Sequence, residues 1–357
     1  MKKLISILLT TIILGGSLTA CSKATVETSE ISETSTTSEA TTAATTTSEE
    51  TTETTHPESH YEFNPHVSSS IMTEIMGETM LDTYNNFIDA VLAGETTFEC
   101  PDEQTYYWVM GQFAYLYFPV VAEYTQMADG IPYENGVGKF VYKIPYEEFE
   151  VKLQEFEDLT VDILNEVLDD DYSDFEKSMA LYNYFISHYT YDYYAADNIG
   201  DPEIDNMLSG YRLLTEGEGI CQEISVAYSF LLLEAGVDAT VVKGNREYDG
   251  MGHQWSLVTI DGNNYHIDPT YGLGTEDYLY YFMMTDDKRY QEDSYNPDDF
   301  IPSTVYAQTY GYPDFSATDD TYRGLWQSRV ISWNDDENTL LVEDVYGQRH
   351  VFSYGDA

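Results

Sequence analysis

The dipeptide Asp261-Gly262 constrains the fold more than any other feature, because it separates two stretches in which apolar and polar residues alternate. Alternation over residues 253–260 and 263–268 is typical of half-buried strands, and Asp-Gly between such stretches favours a two-residue hairpin turn. A turn of that length pairs Ile260 with Asn263. The chain is therefore expected to contain an antiparallel sheet that includes this hairpin.

The register of the hairpin brings a histidine and an aspartate together. Continuing the pairing away from the turn places Asp268 opposite Trp255, two residues from His253 and on the same face of the sheet. Diagonal neighbours of this kind are about 7–8 Å apart at the backbone, so the carboxylate is expected to reach the imidazole. A four-residue turn would keep both residues on one face but move them one pair further apart.

A cysteine lies upstream, at the start of a predicted helix. The apolar residues that follow Cys221 have helical spacing: Ile224, Ala227, Tyr228, Leu231 and Leu232. A helix N-terminus favours an anion, and a thiol is a strong nucleophile only as its thiolate. With a histidine as base and an aspartate to orient that base, Cys221, His253 and Asp268 form a candidate catalytic triad.

Three short motifs around these residues resemble the transglutaminase-like superfamily, and they occur in the family's order: Gly219-Ile220-Cys221, His253-Gln254-Trp255 and Asp268-Pro269-Thr270. The likeness extends over about residues 170–290. It implies a papain-like α+β fold, in which the nucleophile helix packs on an antiparallel sheet, with Cys221, His253 and Asp268 as catalytic residues. Tyr191 matches the family's Tyr-Asp position and is a candidate oxyanion donor beside the backbone N–H of the cysteine.

The triad predicts acyl transfer on amide bonds through a thioester intermediate. Water as acceptor would make the protein a peptidase or amidase, whereas an amine would make it a cross-linking enzyme, and the sequence leaves both open. The expected substrate is a protein or peptide, with cell-wall peptide as one option. The alternative hypothesis is a catalytically idle envelope module that binds peptide or wall polymer in the same cleft. No cofactor is predicted.

Glu223 departs from bacterial relatives that carry glycine two positions after the nucleophile. A carboxylate close to a thiol disfavours the thiolate. Two positions along a helix correspond to a rotation of about 200°. We therefore expect Glu223 to point away from Cys221 and to affect it only modestly.

The N-terminus has the pattern of a bacterial lipoprotein signal. A basic start precedes an apolar stretch that is too short to span a bilayer, and Leu18-Thr19-Ala20-Cys21 resembles a lipobox. Cys21 would then be acylated and become the first residue of the mature chain. The alternative is an ordinary secretory signal that is cleaved nearby. The composition of residues 21–60, rich in Ser, Thr, Ala and Glu, predicts a disordered tether. These features predict an extracytoplasmic protein that is lipid-anchored to the bacterial cell membrane.

The chain carries 15 cationic and 64 acidic residues, a net charge of −49. Such a charge argues against binding to nucleic acid or to an anionic membrane surface, and leaves a preference for basic substrates open. Cys100 is interpreted as a structural thiol, because a disulfide with Cys221 would block the nucleophile. The scattered histidines and the lack of paired cysteines predict no metal site. No oligomeric state is predicted.

The folded part begins after the tether. Helices are predicted at 68–93, 147–168 and from a capping box at Ser173, and a strand at 139–144. Residues 101–124 fit either strand or helix. Two strands near the C-terminus, at 328–333 and 339–345, fit either a small appendage or additional strands of the core sheet. The predicted segments are a signal peptide (1–20), the tether (21–60), a helical or mixed region (61–169), the catalytic core (170–312) and a C-terminal β extension (313–357).

Overall fold

The computed structural model describes residues 61–275, 278–302 and 316–355. The predicted signal peptide, the lipobox cysteine Cys21 and the tether lie outside the described residues. The α-helices are α1 (Ser70–Met76), α2 (Glu78–Leu92), α3 (Glu103–Trp108), α4 (Ala114–Tyr117), α5 (Pro119–Tyr124), α6 (Tyr146–Val167), α7 (Asp174–His188), α8 (Tyr193–Asp197), α9 (Pro202–Asp205), α10 (Gly210–Glu216), α11 (Cys221–Glu234), α12 (Pro269–Gly272) and α13 (Asp286–Asp293).

The strands are β1 (Thr97–Glu99), β2 (Thr125–Met127), β3 (Tyr133–Glu134), β4 (Val137–Tyr142), β5 (Thr190–Tyr191), β6 (Glu218–Gly219), β7 (Ala239–Asn245), β8 (Gly252–Ile260), β9 (Asn263–Ile267), β10 (Ile301–Pro302), β11 (Ser328–Asn334), β12 (Thr339–Asp344) and β13 (Arg349–Ser353). A π-helical turn at Val109–Phe113 joins α3 to α4, and short 3-10 helices occupy Pro297–Asp299 and Thr321–Leu325.

The central sheet has the strand order β10-β7-β8-β9, with antiparallel neighbours. The predicted hairpin is confirmed: Asp261 and Gly262 have φ of 51° and 78°, as a turn with two left-handed residues requires. Pairing runs from Ile260 with Asn263 to Ser256 with Ile267, which is the predicted register. Because β9 ends there, the next residue, Asp268, caps helix α12 instead of pairing across the sheet.

Helix α11 packs on this sheet and is covered on its other sides by α7 and α10. All its residues from Glu223 to Glu234 are buried, as expected for a helix that lies inside a core rather than on its surface. The packing of α11, which begins at Cys221, on an antiparallel sheet confirms the predicted papain-like α+β fold. The capping box of α7 is also confirmed, because Ser173 and Glu176 bond to each other's backbone N–H.

The N-terminal region packs against the same helix. Phe63 and Phe156 both contact the ring of Phe230 in α11, with centroid distances of 6.4 Å and 5.4 Å. The helix predicted over 68–93 is in fact two helices, because Gly77 has a φ of 83° that interrupts the helical path. The ambiguous segment 101–124 is helical. The predicted strand corresponds to β4, which is the centre of a small sheet that also contains β1, β2 and β3.

The C-terminal strands form their own antiparallel sheet, β11-β12-β13, and this decides between the two alternatives in favour of an appendage. Its third strand was not predicted. The Tyr354 hydroxyl donates a 2.6 Å hydrogen bond to Glu176 of α7 and so attaches the appendage to the core. Within the described ranges, no helix combines the length and apolarity that crossing a membrane requires.

Removing the cap of α7 should destabilise the fold measurably. Ser173→Ala deletes the hydroxyl that accepts from the Glu176 N–H and is expected to lower the free energy of unfolding by about 1 kcal/mol. Urea denaturation measures this difference. Ser187→Ala, an exposed serine in the same helix, is the matched control and should change stability by less than about 0.5 kcal/mol. Equal effects of the two variants would contradict the capping role.

Candidate active site

The nucleophile candidate, Cys221, is the first residue of α11 and is partly exposed, whereas Cys100 is buried; both are free thiols. The preceding residue, Ile220, is extended, and its N–H donates a 2.9 Å hydrogen bond to Glu223. This is the carboxylate half of a capping box, and it fixes the sharp entry of the chain into the helix. The thiol therefore lies at a helix N-terminus, as predicted.

Glu223 does not face solvent. Its side chain is fully buried and forms a two-pronged ion pair with Arg212, with Nε and Nη2 at 2.9 Å and 2.7 Å from the two carboxylate oxygens. The Ser209 N–H also donates to it. Arg212 in turn reaches Asp192 at 3.1 Å. The carboxylate is thus neutralised by an arginine, and it organises the turn before Cys221.

The base candidate, His253, lies near the start of β8 and is only 5% exposed. Its Nε2 donates a 2.7 Å hydrogen bond to Asp268 Oδ2. The Cys221 thiol lies close enough to the imidazole to act on its pKa, and Nδ1 is the ring nitrogen that the bond to Asp268 leaves available to it. The structure therefore brings the three predicted residues together in the order thiol, imidazole, carboxylate.

The electrostatics of the pair follow from its burial. Burial alone would lower the pKa of His253, but the Asp268 carboxylate and the Cys221 thiol outweigh it and raise that pKa to about 9. Burial would likewise raise the pKa of Asp268, yet the positive charges of His253 and Arg289 hold it below the ordinary value. Both shifts favour an imidazolium–carboxylate pair at neutral pH.

Polar contacts between β8 and α11 fix the distance between base and nucleophile. Gln254 donates from Nε2 to the Ser225 hydroxyl at 3.0 Å. The Ser256 hydroxyl donates to the Ser225 carbonyl and bonds the Ser229 hydroxyl at 2.9 Å. Gln254 and Ser256 alternate with His253 and Trp255 along the strand. One face of β8 is therefore hydrogen-bonded to the helix, whereas the other carries the candidate base.

A second buried histidine, His266, is bonded to one of the aromatic residues that pack against His253. Trp255 lies 5.7 Å from the His253 ring, and its indole N–H donates to His266 Nδ1 at 2.9 Å. His266 Nε2 then donates to Asp286 at 2.8 Å. Burial lowers the pKa of His266, consistent with a neutral ring that accepts on one nitrogen and donates on the other. Tyr271 also stacks on the His253 ring, with a centroid distance of 4.5 Å.

Several of these residues were missed by the sequence analysis. Arg289 ion-pairs with Asp268 at 3.0 Å, and Tyr115 of α4 has a buried hydroxyl without a hydrogen-bond partner among the described residues. Burial chiefly, and then the charges of Glu223 and Cys221, raise the pKa of Tyr115. The only sequence signal for the arginine was its rarity in an acidic chain.

The predicted oxyanion donor, Tyr191, lies in β5. Its backbone pairs with Gly219, which lies two residues before Cys221.

Breaking the ion pair beneath the nucleophile should destabilise the protein strongly. Arg212→Met leaves the buried Glu223 carboxylate without its cation and is expected to cost about 3–5 kcal/mol of unfolding free energy in urea denaturation. The double variant Arg212→Met/Glu223→Gln removes both charges and should recover a large part of this loss. A double variant no more stable than the single one would contradict the charge-pairing account.

Part of the chain that contains this site is similar to known proteins. Residues 161–269 match the family model described as the transglutaminase-like superfamily. A comparison with curated proteins finds no significant match. Similar solved structures include that of a TGase, which is 19% identical with a TM-score of 0.29, and covers 42% of this chain and 46% of its own.

Two further structures are similar at the same level. A candidate cysteine protease from Cytophaga hutchinsonii is 17% identical, with a TM-score of 0.26, over 33% of this chain and 39% of that one. The periplasmic domain of TgpA from Pseudomonas aeruginosa, bound to ethylmercury, is 22% identical, with a TM-score of 0.21, over 28% and 39%. The chain spans less than half the length of each of the three. The match at residues 161–269 therefore shows what this part of the chain resembles: the core domain of the transglutaminase-like superfamily.

Proposed function

We propose that the protein is a cysteine enzyme that transfers acyl groups from amide bonds, with Cys221, His253 and Asp268 as its catalytic triad. The observation that carries the proposal is the buried 2.7 Å His253–Asp268 hydrogen bond, beside a partly exposed thiol at a helix N-terminus that acts on the same imidazole. A histidine with a purely structural role would need its carboxylate partner but not a thiol beside it.

The reaction would proceed in two steps. The Cys221 sulfur attacks the amide carbonyl while its proton is held by His253, and the tetrahedral intermediate collapses to a thioester as the imidazolium gives that proton to the leaving amine. Water or a second amine then attacks the thioester, the imidazole takes its proton, and the thiol is released. Asp268 stays ionised throughout and keeps the ring oriented.

The oxyanion of the tetrahedral intermediate needs hydrogen-bond donors. The Cys221 backbone N–H, in the first turn of α11, is the first donor that we propose. Tyr191 remains our proposal for the second, supported by the position of its strand beside Gly219. Whether water or an amine takes the acyl group defines the enzyme as a peptidase or as a cross-linker, with a protein or peptide as substrate. Cell-wall peptide is one such substrate.

Thiol labelling tests the proposed nucleophile. In the parent protein, a chloroacetamide or iodoacetamide probe at pH 7 should label Cys221 rapidly, and His253→Ala should slow labelling by about 10²-fold, because the proton acceptor is lost. Cys100 is the internal control: it is buried, and burial chiefly raises its pKa to about 11, so it should stay unlabelled. Quantitative mass spectrometry of the labelled peptides measures both rates.

Activity distinguishes the enzyme from the idle module. Parent protein incubated with a glutamine-containing peptide and a biotinylated primary amine should release ammonia or cleaved peptide, with or without amine incorporation, and Cys221→Ala should abolish all products. Labelling of Cys221 no faster than that of free cysteine, together with no turnover, would favour the idle binding module. Amine incorporation would select cross-linking, and cleavage or deamidation alone would select hydrolysis.

We also propose that the domain is anchored outside the cell by a lipid on Cys21, supported by the lipobox pattern Leu18-Thr19-Ala20-Cys21. The natively processed protein should partition into the detergent phase. Cys21→Ser should move it to the aqueous phase, because the acylated sulfur is lost while the rest of the signal is kept. Phase partitioning with Triton X-114, followed by immunoblotting, measures this. Unchanged detergent partitioning of the variant would rule out the lipobox.

A further inference from the structure

The deepest charged residue behind the triad is Arg289, on helix α13. It is fully buried, and its Nη2 lies 3.0 Å from Asp268 Oδ2. This is the same carboxylate oxygen that accepts the 2.7 Å hydrogen bond from His253. One oxygen atom is therefore shared by the imidazole and the guanidinium. The other carboxylate oxygen accepts from the Tyr271 N–H at 3.2 Å.

Arg289 sits in an aromatic cage that excludes water. Its guanidinium carbon lies 4.6–6.0 Å from the centres of four rings: Trp255, Tyr295, Tyr271 and Tyr281. Asp293 lies 3.5 Å away, on the next turn of α13. Burying a guanidinium costs several kcal/mol of solvation, which packing alone would not require because an apolar side chain fills such a cage at lower cost. The buried charge therefore suggests a role toward Asp268.

We propose that Arg289 is a positioning residue of the triad, whose charge keeps the Asp268 carboxylate ionised, oriented and only partly available to His253. This rests on the proposed function in so far as the triad is catalytic. A lone buried carboxylate would hold the imidazolium proton tightly. Sharing the oxygen with a guanidinium weakens that hold, so the histidine can return its proton to the leaving amine.

The charge relation has a definite sign. Removing a positive charge from the neighbourhood of His253 makes protonation of the ring more favourable, so its pKa should rise from about 9. Two unit charges roughly 6 Å apart interact by about 3 kcal/mol at an effective dielectric of 20, which corresponds to a shift of about 1–2 pH units. A role in packing alone would leave the pKa unchanged or lower it through loss of the Asp268 contact.

Other titratable and charged groups surround the same cluster and belong in the interpretation of any pH profile. They come from every element that packs against it: Cys221 on α11, Tyr182 on α7, Tyr271 on α12, Glu292 and Asp293 on α13, the His266–Asp286 pair, Tyr281, Tyr295 and Arg246. The tyrosines have pKa values raised chiefly by burial. Their ionisation is therefore displaced to higher pH.

Histidine NMR at pH 10 tests the proposal on the full chain. With labelled histidine, and with His253→Gln to assign the signal, the parent ring should be mostly neutral one unit above its pKa. In Arg289→Gln the ring should be at least half protonated at that pH, which corresponds to a 10- to 100-fold gain in proton affinity. Arg289→Lys keeps the charge but not the cage contacts and should restore a pKa within about half a unit of the parent.

Two controls make the result specific. Arg246→Gln removes an arginine whose charge interacts with Tyr271 and Tyr295 but which ion-pairs with Asp249, and it should leave the His253 pKa nearly unchanged. If Arg289→Gln does not fold, Arg289→Gln/Asp293→Asn is compared with Asp293→Asn alone, so that the difference still reports the arginine. An unchanged or lowered His253 pKa on loss of the Arg289 charge would overturn the proposal.

The kinetic readout separates this inference from the proposed function. In an active enzyme, Arg289→Gln should lower kcat about tenfold or more with little change in KM, and move the alkaline limb of the rate profile to higher pH. A protein with no turnover but with the expected NMR shift would contradict the proposed catalysis while supporting the arginine's role toward Asp268. If the parent enzyme is active but its His253 pKa does not change on loss of Arg289, the proposed catalysis is supported and the arginine's role toward Asp268 is contradicted.

Discussion

The site depends on one buried anion. Asp268 has no exposure to solvent, and its carboxylate survives as an anion because His253, Arg289 and the Tyr271 N–H together replace the water that it has lost. Without these partners, burial would favour the neutral acid, and the histidine would lose both its orientation and its raised pKa. Asp268 directly follows strand β9 and caps helix α12, so it also fixes the path of the chain at this point.

The candidate nucleophile, Cys221, depends on a similar arrangement around Glu223. Glu223 accepts from the backbone N–H groups of Ile220 and Ser209, and Arg212 supplies the positive charge that its burial requires. From the sequence, Glu223 was expected to point away from Cys221 and to disfavour the thiolate only modestly. In the structure it holds the turn that presents Cys221, and its charge is balanced by an arginine, so its local field at the thiol is reduced.

The surroundings of Cys221 and of His253 are therefore arranged in the same way. Each uses a buried carboxylate to organise backbone near a reactive side chain, and each carboxylate has an arginine behind it: Arg212 beneath the nucleophile turn, and Arg289 beneath the acid. In a chain with 15 cationic and 64 acidic residues, placing two arginines in the interior is costly. Their charge compensates two carboxylates that solvent cannot reach.

The sequence by itself determined the parts of the molecule that local physics specifies. Alternating polarity and the Asp261-Gly262 turn predicted the β8–β9 hairpin and its register, since a two-residue turn with positive φ leaves little choice of pairing. Helical spacing predicted α11 and placed Cys221 at its start, and a capping box at Ser173 predicted α7. Because the hairpin register sets which residues are neighbours, the contact between His253 and Asp268 was also predictable.

Local patterns failed where a single residue or a distant contact decided the outcome. Gly77 divides one amphipathic stretch into two helices through its positive φ, and the segment 101–124 became helical although its aromatic pattern fitted either state. The third strand of the C-terminal sheet also escaped prediction. Its outer position and largely exposed side chains leave only a weak alternating signal.

Only the tertiary structure decided what stands behind the triad. Arg289 follows Asp268 by more than twenty residues and Arg212 precedes Glu223 by eleven, and nothing in their own neighbourhoods marks them as partners of buried carboxylates. Tyr115 comes from a different region of the chain. Ion pairs of this kind form because folding removes water from particular charges, and which charges lose water depends on how the helices and the sheet pack. Spacing along the chain can therefore identify the candidate triad residues, but packing selects the charges that hold them in place.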